Sequence, residues 1–293
     1  MAEAHAPVRA RAHGARSWWR ILRSSPRTAV GALLLLVISL AAVFADVVSP
    51  HPPNRQYLRD RLQPPSAQYL LGTDHLGRDV LSRIIHGGRV SLQVGFVAVG
   101  LALAVGGVMG LLAAFYGRWV DSVISGFVDV LLALPGFLLA LAIVAALGPS
   151  LVNVMIAVGI SFVPQFARIT RSAVLQVIEM DYVTAAQAAG SRDPRIMFKH
   201  VVPNALSPII VQVTLSLAGA ILSAAGLSFL GLGAQPPTAE WGSMLNAARG
   251  FIRDAHWAVT FPGLAIVVTV LALNMVGDGL RDALDPRRMV DQP

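Results

Sequence analysis

The sequence predicts an all-α integral membrane protein with six transmembrane helices and both termini cytoplasmic. Three observations carry that expectation. Of 293 residues, 55% are apolar and only 13% charged, where a soluble domain carries roughly 25% charged residues. Six stretches approach the ~20 apolar residues that a helix needs to cross a bilayer: Pro26–Val48, Val90–Tyr116, Val123–Leu147, Leu151–Ala167, Pro208–Leu232 and Ala258–Leu280. An even number of spans puts both ends on one side, and basic residues choose that side. With the N-terminus inside, fifteen of the 23 Lys and Arg residues fall in cytoplasmic segments and eight outside, the bias that sets orientation.

Ahead of the first span, Trp18-Trp19-Arg20-Ile21-Leu22-Arg23 mixes aromatic, apolar and basic residues. That suits a helix lying in the inner interface, or equally a plain basic anchor. Ser25-Pro26 starts the span, a capping serine before a proline at the first helical position. The apolar run is too long for a cleaved signal peptide, and Val43-Phe44-Ala45-Asp46 is a poor cleavage site. The external loop carries Pro50, Pro52, Pro53, Pro64 and Pro65 and so begins irregular, turning helix-like and amphipathic from Leu76 to Leu92. Its six arginines are many for an exported segment, offset in part by Asp60, Asp74 and Asp79. In the second span, Gly106 and Gly110 make a small-xxx-small packing face. The third holds Asp129, which can pair with Arg168 or Arg171 near the inner end of the fourth. A structural ion pair and a proton or ion relay are the two roles open to it.

The segment Arg168–Ser207 is too long for a simple connection. Val174, Ile178 and Tyr182, then Ala185, Ala186 and Ala189, fall at helical intervals. Gly190 supplies a left-handed stop; Asp193-Pro194 restarts a helix and Pro203 ends it. Ser207-Pro208 opens the fifth span. The loop after it carries Pro236-Pro237, Trp241 and Trp257, with the tryptophans at headgroup level or packed on the membrane surface.

Several chemistries are excluded. The net charge of +7 sits beside the spans and points to membrane lipid, with no nucleic acid partner. Lys199 is the only lysine and is followed by His200, so no Gly-x-x-x-x-Gly-Lys-Ser/Thr phosphate loop can form. The seven histidines show no His-x-x-x-His spacing, which leaves no metal site to expect. There is no cysteine and no Gly-x-Ser-x-Gly nucleophile elbow. Nothing reads as a catalytic centre, and the spans hold too few polar groups to name a substrate contact.

The spacing Thr184-Ala185-Ala186-x-x-x-Gly190, with His200-Val201-Val202-Pro203-Asn204, resembles the Glu-Ala-Ala…Gly…Leu-Pro signature by which ABC importer permeases dock onto their ATPases. Leu71–Arg83, Leu227–Gly233 with Glu240-Trp241-Gly242, Phe261-Pro262-Gly263 and Gly277–Pro286 narrow the resemblance to the dipeptide/oligopeptide/nickel branch. It extends over roughly residues 17–288. The resemblance implies the six-helix, MetI-like core of type I importers in a bacterial cytoplasmic membrane. It also implies a second permease subunit forming a heterodimer, and an extracytoplasmic substrate-binding protein. Two ABC ATPase subunits or domains would bind ATP and Mg, so this chain needs no cofactor of its own. Short peptides are the implied substrate, with nickel or glutathione as alternatives within the family and an ion-coupled secondary carrier as the alternative outside it. Tyr182, Thr184, Ala185, Ala186, Gly190, His200, Pro203 and Asn204 would form the ATPase-coupling loop. Gly72, Thr73, Asp74, Gly77, Arg78 and Asp79 would serve architecture or docking on the outer face. Thr184 stands where the family has glutamate, so a hydrogen-bonding hydroxyl replaces a charge, and coupling is expected to be retuned. The expected division is 1–27 cytoplasmic, 28–89 first helix and external loop, 90–280 core with its loop at 168–207, and 281–293 tail.

Overall fold

In lipid every backbone N–H and C=O must be satisfied within the protein, which leaves helices as the economical solution for apolar runs. A computed structural model describes residues 25–284, so the segment Trp18–Arg23 and the tail from Asp285 lie outside the described residues. The chain is helical with no β-strand among those residues: α1 Pro26–Val43, α2 Val80–Tyr116, α3 Arg118–Leu132, α4 Gly136–Leu147, α5 Leu151–Ile178, α6 Asp181–Ala188, α7 Val202–Phe229, α8 Trp241–Ala248 and α9 Trp257–Leu284. Short turns at Ala45–Val48, Leu58–Asp60, Asp193–Ile196, Met197–Val201 and Arg249–Phe251 complete it. Among the described residues five helices are long and apolar enough to cross a membrane, and α3 with α4 makes up to a sixth span.

That sixth span is not the single helix Val123–Leu147 that hydropathy suggests. It breaks after Leu132, and its halves meet at 85°. Pro135 has no N–H to donate and its ring clashes with the preceding turn. The helix therefore closes on Ala133, whose N–H bonds Asp129 O and Val130 O, and α4 restarts beyond the proline. Two other helices overrun expectation. α2 starts at Val80, ahead of Val90, because the buried Asp79 carboxylate caps it by accepting from Ser82 N at 3.0 Å. α5 continues past Ala167 to Ile178 because Val174 and Val177 are buried against the loop that follows.

Without a hydrophobic drive between helices in lipid, association depends on close packing of small residues. α2 and α5 form the most extensive helix pair. A Cβ placed on Gly106 would lie 2.8 Å from Phe166 Cβ and closer still to Val163 O, and one on Gly110 would lie 2.8 Å from Arg171 N and closer still to Ala167 O. Around this seam Val94, Ala98, Val154, Val158, Leu217 and Ile221 form the main core. At one end of the bundle, Arg89 of α2 bonds Ala42 O and Asp46 beside the end of α1. At the other, Thr28 of α1 packs on Gly279 of α9. The two ends of the described chain are thus neighbours, on the same end of the bundle as the loop carrying α6.

Candidate functional site

An eight-residue helix is marginal on its own, and α6 is held by both its ends. Val183 is fully buried with Ile196, Val201, Val174 and Ala114 in one apolar cluster. Beyond α6, Gly190 adopts φ +77; its N–H bonds Gln187 O at 2.9 Å while Ser191 N–H reaches Ala186 O at 3.1 Å. Those two bonds are a Schellman cap, which needs a left-handed residue where only glycine enters without strain. Nothing lies within 4 Å of a Cβ built on Gly190. The glycine therefore serves the turn and leaves space on its outer side.

Anchored from beneath, the unit turns a surface of small side chains outward. Thr184, Ala185, Gln187, Ala188, Ala189 and Gly190 are exposed and Ala186 half-buried. Thr184 sits inside α6 and away from its cap. Tyr182 is 43% exposed, its ring 6.5 Å from that of His200, and Asn204 Nδ2 donates to His200 O at 2.6 Å. Pro203 does not end a helix as expected. Val202 N–H reaches back five residues to Met197 O, a π-turn, so Pro203 falls in the first turn of α7, where its missing N–H costs nothing. Pro208, expected to open the span, lies within α7. From Asp193 onward the loop and the fifth span are one continuous helical path, Asp193–Phe229.

Beside this unit two ion pairs join α3 to α5. Asp129 Oδ1 lies 2.7 Å from Arg168 Nη2, both side chains more than 60% exposed. Arg171 does not join them: its guanidinium clasps Asp121 through two bonds of 2.6 Å, in a more sheltered setting. Sequence reading passed over Asp121. A cavity of about 400 Å³ lies between α2, α3 and α5, lined by Gly110, Ala113, Ile124, Ser125, Val128, Asp129, Ala167, Arg168 and Arg171. Among the described residues no group of three His, Asp or Glu is placed to hold a metal ion.

At the opposite end, residues 57–83 fold into a compact knot. Gly72 and Gly77 take φ +74 and +72. Thr73 Oγ1 donates to Asp60 O and accepts from Gln63 N. Asp74 accepts from Leu76 N, Arg78 N and Arg78 Nε at 2.7–3.0 Å. Thr73, Asp74, Arg78 and Asp79 are all buried, so they shape this surface from below. Tyr69 donates to Asp60 Oδ2 at 2.9 Å, and burial with that neighbouring carboxylate pushes its phenol up to about 12. Burial pushes His75, stacked 5.3 Å from Phe251, down. Arg83 Nη1 bonds Pro53 O, Asn54 Oδ1 and Pro237 O, tying two external segments to the start of α2. The tryptophans are packed inside the protein: Trp241 and Trp257 are 2% and 8% exposed, with indole N–H groups donating to Ile84 O and Thr73 O. Glu240 caps α8 through Gly242 N and Ser243 N, and burial pushes its carboxyl up.

Against known proteins, residues 106–290 match the family model described as binding-protein-dependent transport system inner membrane component. Residues 15–65 match the N-terminal TM domain of oligopeptide transport permease C. The dipeptide transport system permease protein DppC of Alkalihalophilus pseudofirmus is 49% identical over 272 residues, covering 93% of this chain and 90% of that protein. The glutathione transport system permease protein GsiD of Pectobacterium atrosepticum is 44% identical over 271 residues, with 92% and 90% covered. Among solved structures, an inward-facing conformation of the MetNI methionine ABC transporter aligns with TM-score 0.58 at 18% identity, over 70% of this chain and 97% of that one, which is a likeness of fold.

Proposed function

Because the chain belongs to the family of binding-protein-dependent transport system inner membrane components, we propose that it is the permease subunit of an ATP-driven importer of short peptides. It is a multi-pass membrane protein with the helical core of ABC importer permeases. The observation that carries the proposal is the α6 unit, a short helix anchored by Val183, Ile196 and Val201 that presents small side chains outward at one end of the spans. A surface of that kind fits the cleft of another protein. On this reading the partner is an ATPase subunit holding ATP and Mg, and the end bearing α6 and both termini is cytoplasmic. The knot at 57–83 and the segment 234–257 then face the binding protein, in a bacterial cytoplasmic membrane. A second permease subunit completes the path. The division into 1–27, 28–89, 90–280 and 281–293 follows from that arrangement. ATP-driven closure of the ATPases shifts α6, and because Val183 of α6 packs on Ile196 and Val201 of the helical path Asp193–Phe229, the span moves with it. ATP thereby biases a two-state rigid-body element.

Peptides are the substrate carried over from the relatives' names, and glutathione, itself a small peptide, belongs to the same chemistry. The test is to extract the tagged chain gently from its native membrane and identify its companions, then follow peptide uptake in vesicles. A second permease with P-loop ATPases and ATP-dependent uptake of a dipeptide is the expected result. Recovery of the chain alone, from a preparation that preserves other membrane complexes, would overturn the reading.

A further inference from the structure

α5 carries an exposed polar line along one face. Ser161, Gln165, Arg168, Ser172 and Gln176 follow one another by three or four residues, within about 80° of the helix circumference. Ser161 is half-buried and the other four are exposed. Gln165 and Gln212 stand inside the helices that bear them, close to the ends of the apolar runs Leu151–Ala167 and Pro208–Leu232. A line of polar side chains along a membrane helix marks a face turned to water or protein. The face is therefore not a lipid face.

Its chemistry is specific. Gln212 Nε2 donates to Gln165 Oε1 at 3.3 Å and to Ser216 Oγ at 2.9 Å. That leaves Gln212 Oε1 as an acceptor and the Gln165 amide N–H groups as donors, able to take a peptide N–H or a peptide C=O. One turn along α5 comes the Arg168–Asp129 pair, exposed and therefore weakly held. It offers one cation and one anion, matching the carboxylate and the ammonium of a short zwitterionic peptide. We propose that this face of α5 and α7 is a transit site for the peptide main chain, in which Gln165 and Gln212 take an amide and Arg168 and Asp129 exchange their mutual bond for the peptide termini. Side chains of the cargo go unread here. The inference rests on the peptide-permease reading above.

The chain has no cysteine, so single-cysteine variants report cleanly in the intact complex in membrane vesicles. Gln165→Cys and Ser172→Cys should react with a charged, membrane-impermeant thiol reagent, while Leu36→Cys, on the outward face of α1, should not. Dialanine at ten times its half-saturating concentration should slow labelling of Gln165→Cys roughly ten-fold. In uptake, Arg168→Gln should lose roughly ten-fold more rate with dialanine than with dialanine amide, which has no carboxylate to bind. An unreactive Gln165→Cys would overturn the inference by showing the face covered by lipid or by the second permease. Labelling indifferent to peptide, or equal losses for both peptides, would also overturn it. In the same vesicles, wild-type complex without ATP-driven dialanine uptake would sink the parent reading as well. Normal uptake with no protection sinks this inference alone.

Discussion

The α2–α5 seam allows a sharp test of what holds the bundle together. Gly106→Ala adds one methyl whose carbon would stand 2.8 Å from Phe166 Cβ and nearer still to Val163 O, where about 3.5–4.0 Å is the comfortable separation. Relief needs the two helices to part by roughly 1 Å along their most extensive contact, and overpacking of this kind costs about 1–3 kcal/mol. Gly110→Ala meets Arg171 N at 2.8 Å and Thr170 Cβ at 2.9 Å and should cost a similar amount. Once the helices have moved for one methyl they have partly moved for the other, so the double variant should cost less than the two singles together. The control lies between them. Gly107→Ala meets only Leu103 Cδ1 at 3.5 Å and Thr170 Oγ1 at 3.9 Å, and alanine is favoured over glycine in a helix by up to about 1 kcal/mol. It should be neutral or stabilising. Denaturant unfolding of the purified protein in one fixed detergent, followed by helical circular dichroism and tryptophan emission, measures all four. Equal midpoints for Gly106→Ala and Gly107→Ala would refute the close-packing account.

Gly190→Val forces a β-branched residue to φ +77, a local cost of about 1–2 kcal/mol; uptake should fall while ATP hydrolysis and membrane insertion persist. Gly190→Asn, which tolerates that conformation, should retain most uptake, and normal uptake in the valine variant would count against the coupling role. Arg171→Ala strips a two-bond partner from half-buried Asp121 and should cost about 1–3 kcal/mol. Arg168→Ala, from an exposed pair, should cost under about 1 kcal/mol; the reverse order in denaturant midpoints would contradict the structure. The Tyr69 phenol is raised from about 10 to about 12 on folding, so its contribution to stability is present below about pH 10 and lost as pH rises through about 12. Tyr69→Phe should flatten stability across that alkaline window, and an unchanged slope would assign it to other groups.

Much of the fold was legible because the length of an apolar run is a local property. The break at Ala133–Pro135 was legible too, in the proline itself, but hydropathy registers apolarity and says nothing of a lost backbone donor. The early start of α2 and late end of α5 depend on contacts far away in sequence, the Asp79 knot and the Val183 cluster, which no local pattern reveals. Gly190 was readable because a left-handed cap is a property of a few adjacent residues. The burial of Trp241 and Trp257 was missed for the opposite reason. Tryptophan beside a span resembles an interfacial anchor until the carbonyls of Ile84 and Thr73 are seen to take its N–H. Asp121 left a usable signal. Two aspartates on α3 opposite two arginines one turn apart on α5 could have been read as two pairs in place of one.

At 37 residues, α2 is about 55 Å long, against a hydrocarbon thickness of about 30 Å. It is one unbroken rod, clamped at its head by the Asp79 cap and the Arg83 ties, and at its foot by Ala114 in the cluster that seats α6. A rod tied to its neighbours at both ends carries them with it when it tilts. Tilting it by 5° sweeps one end roughly 5 Å relative to the other, and the segments around Pro53 and Pro237 ride with the head. On the importer reading, a tilt imposed at the foot would carry the far face with it by the geometry of one helix.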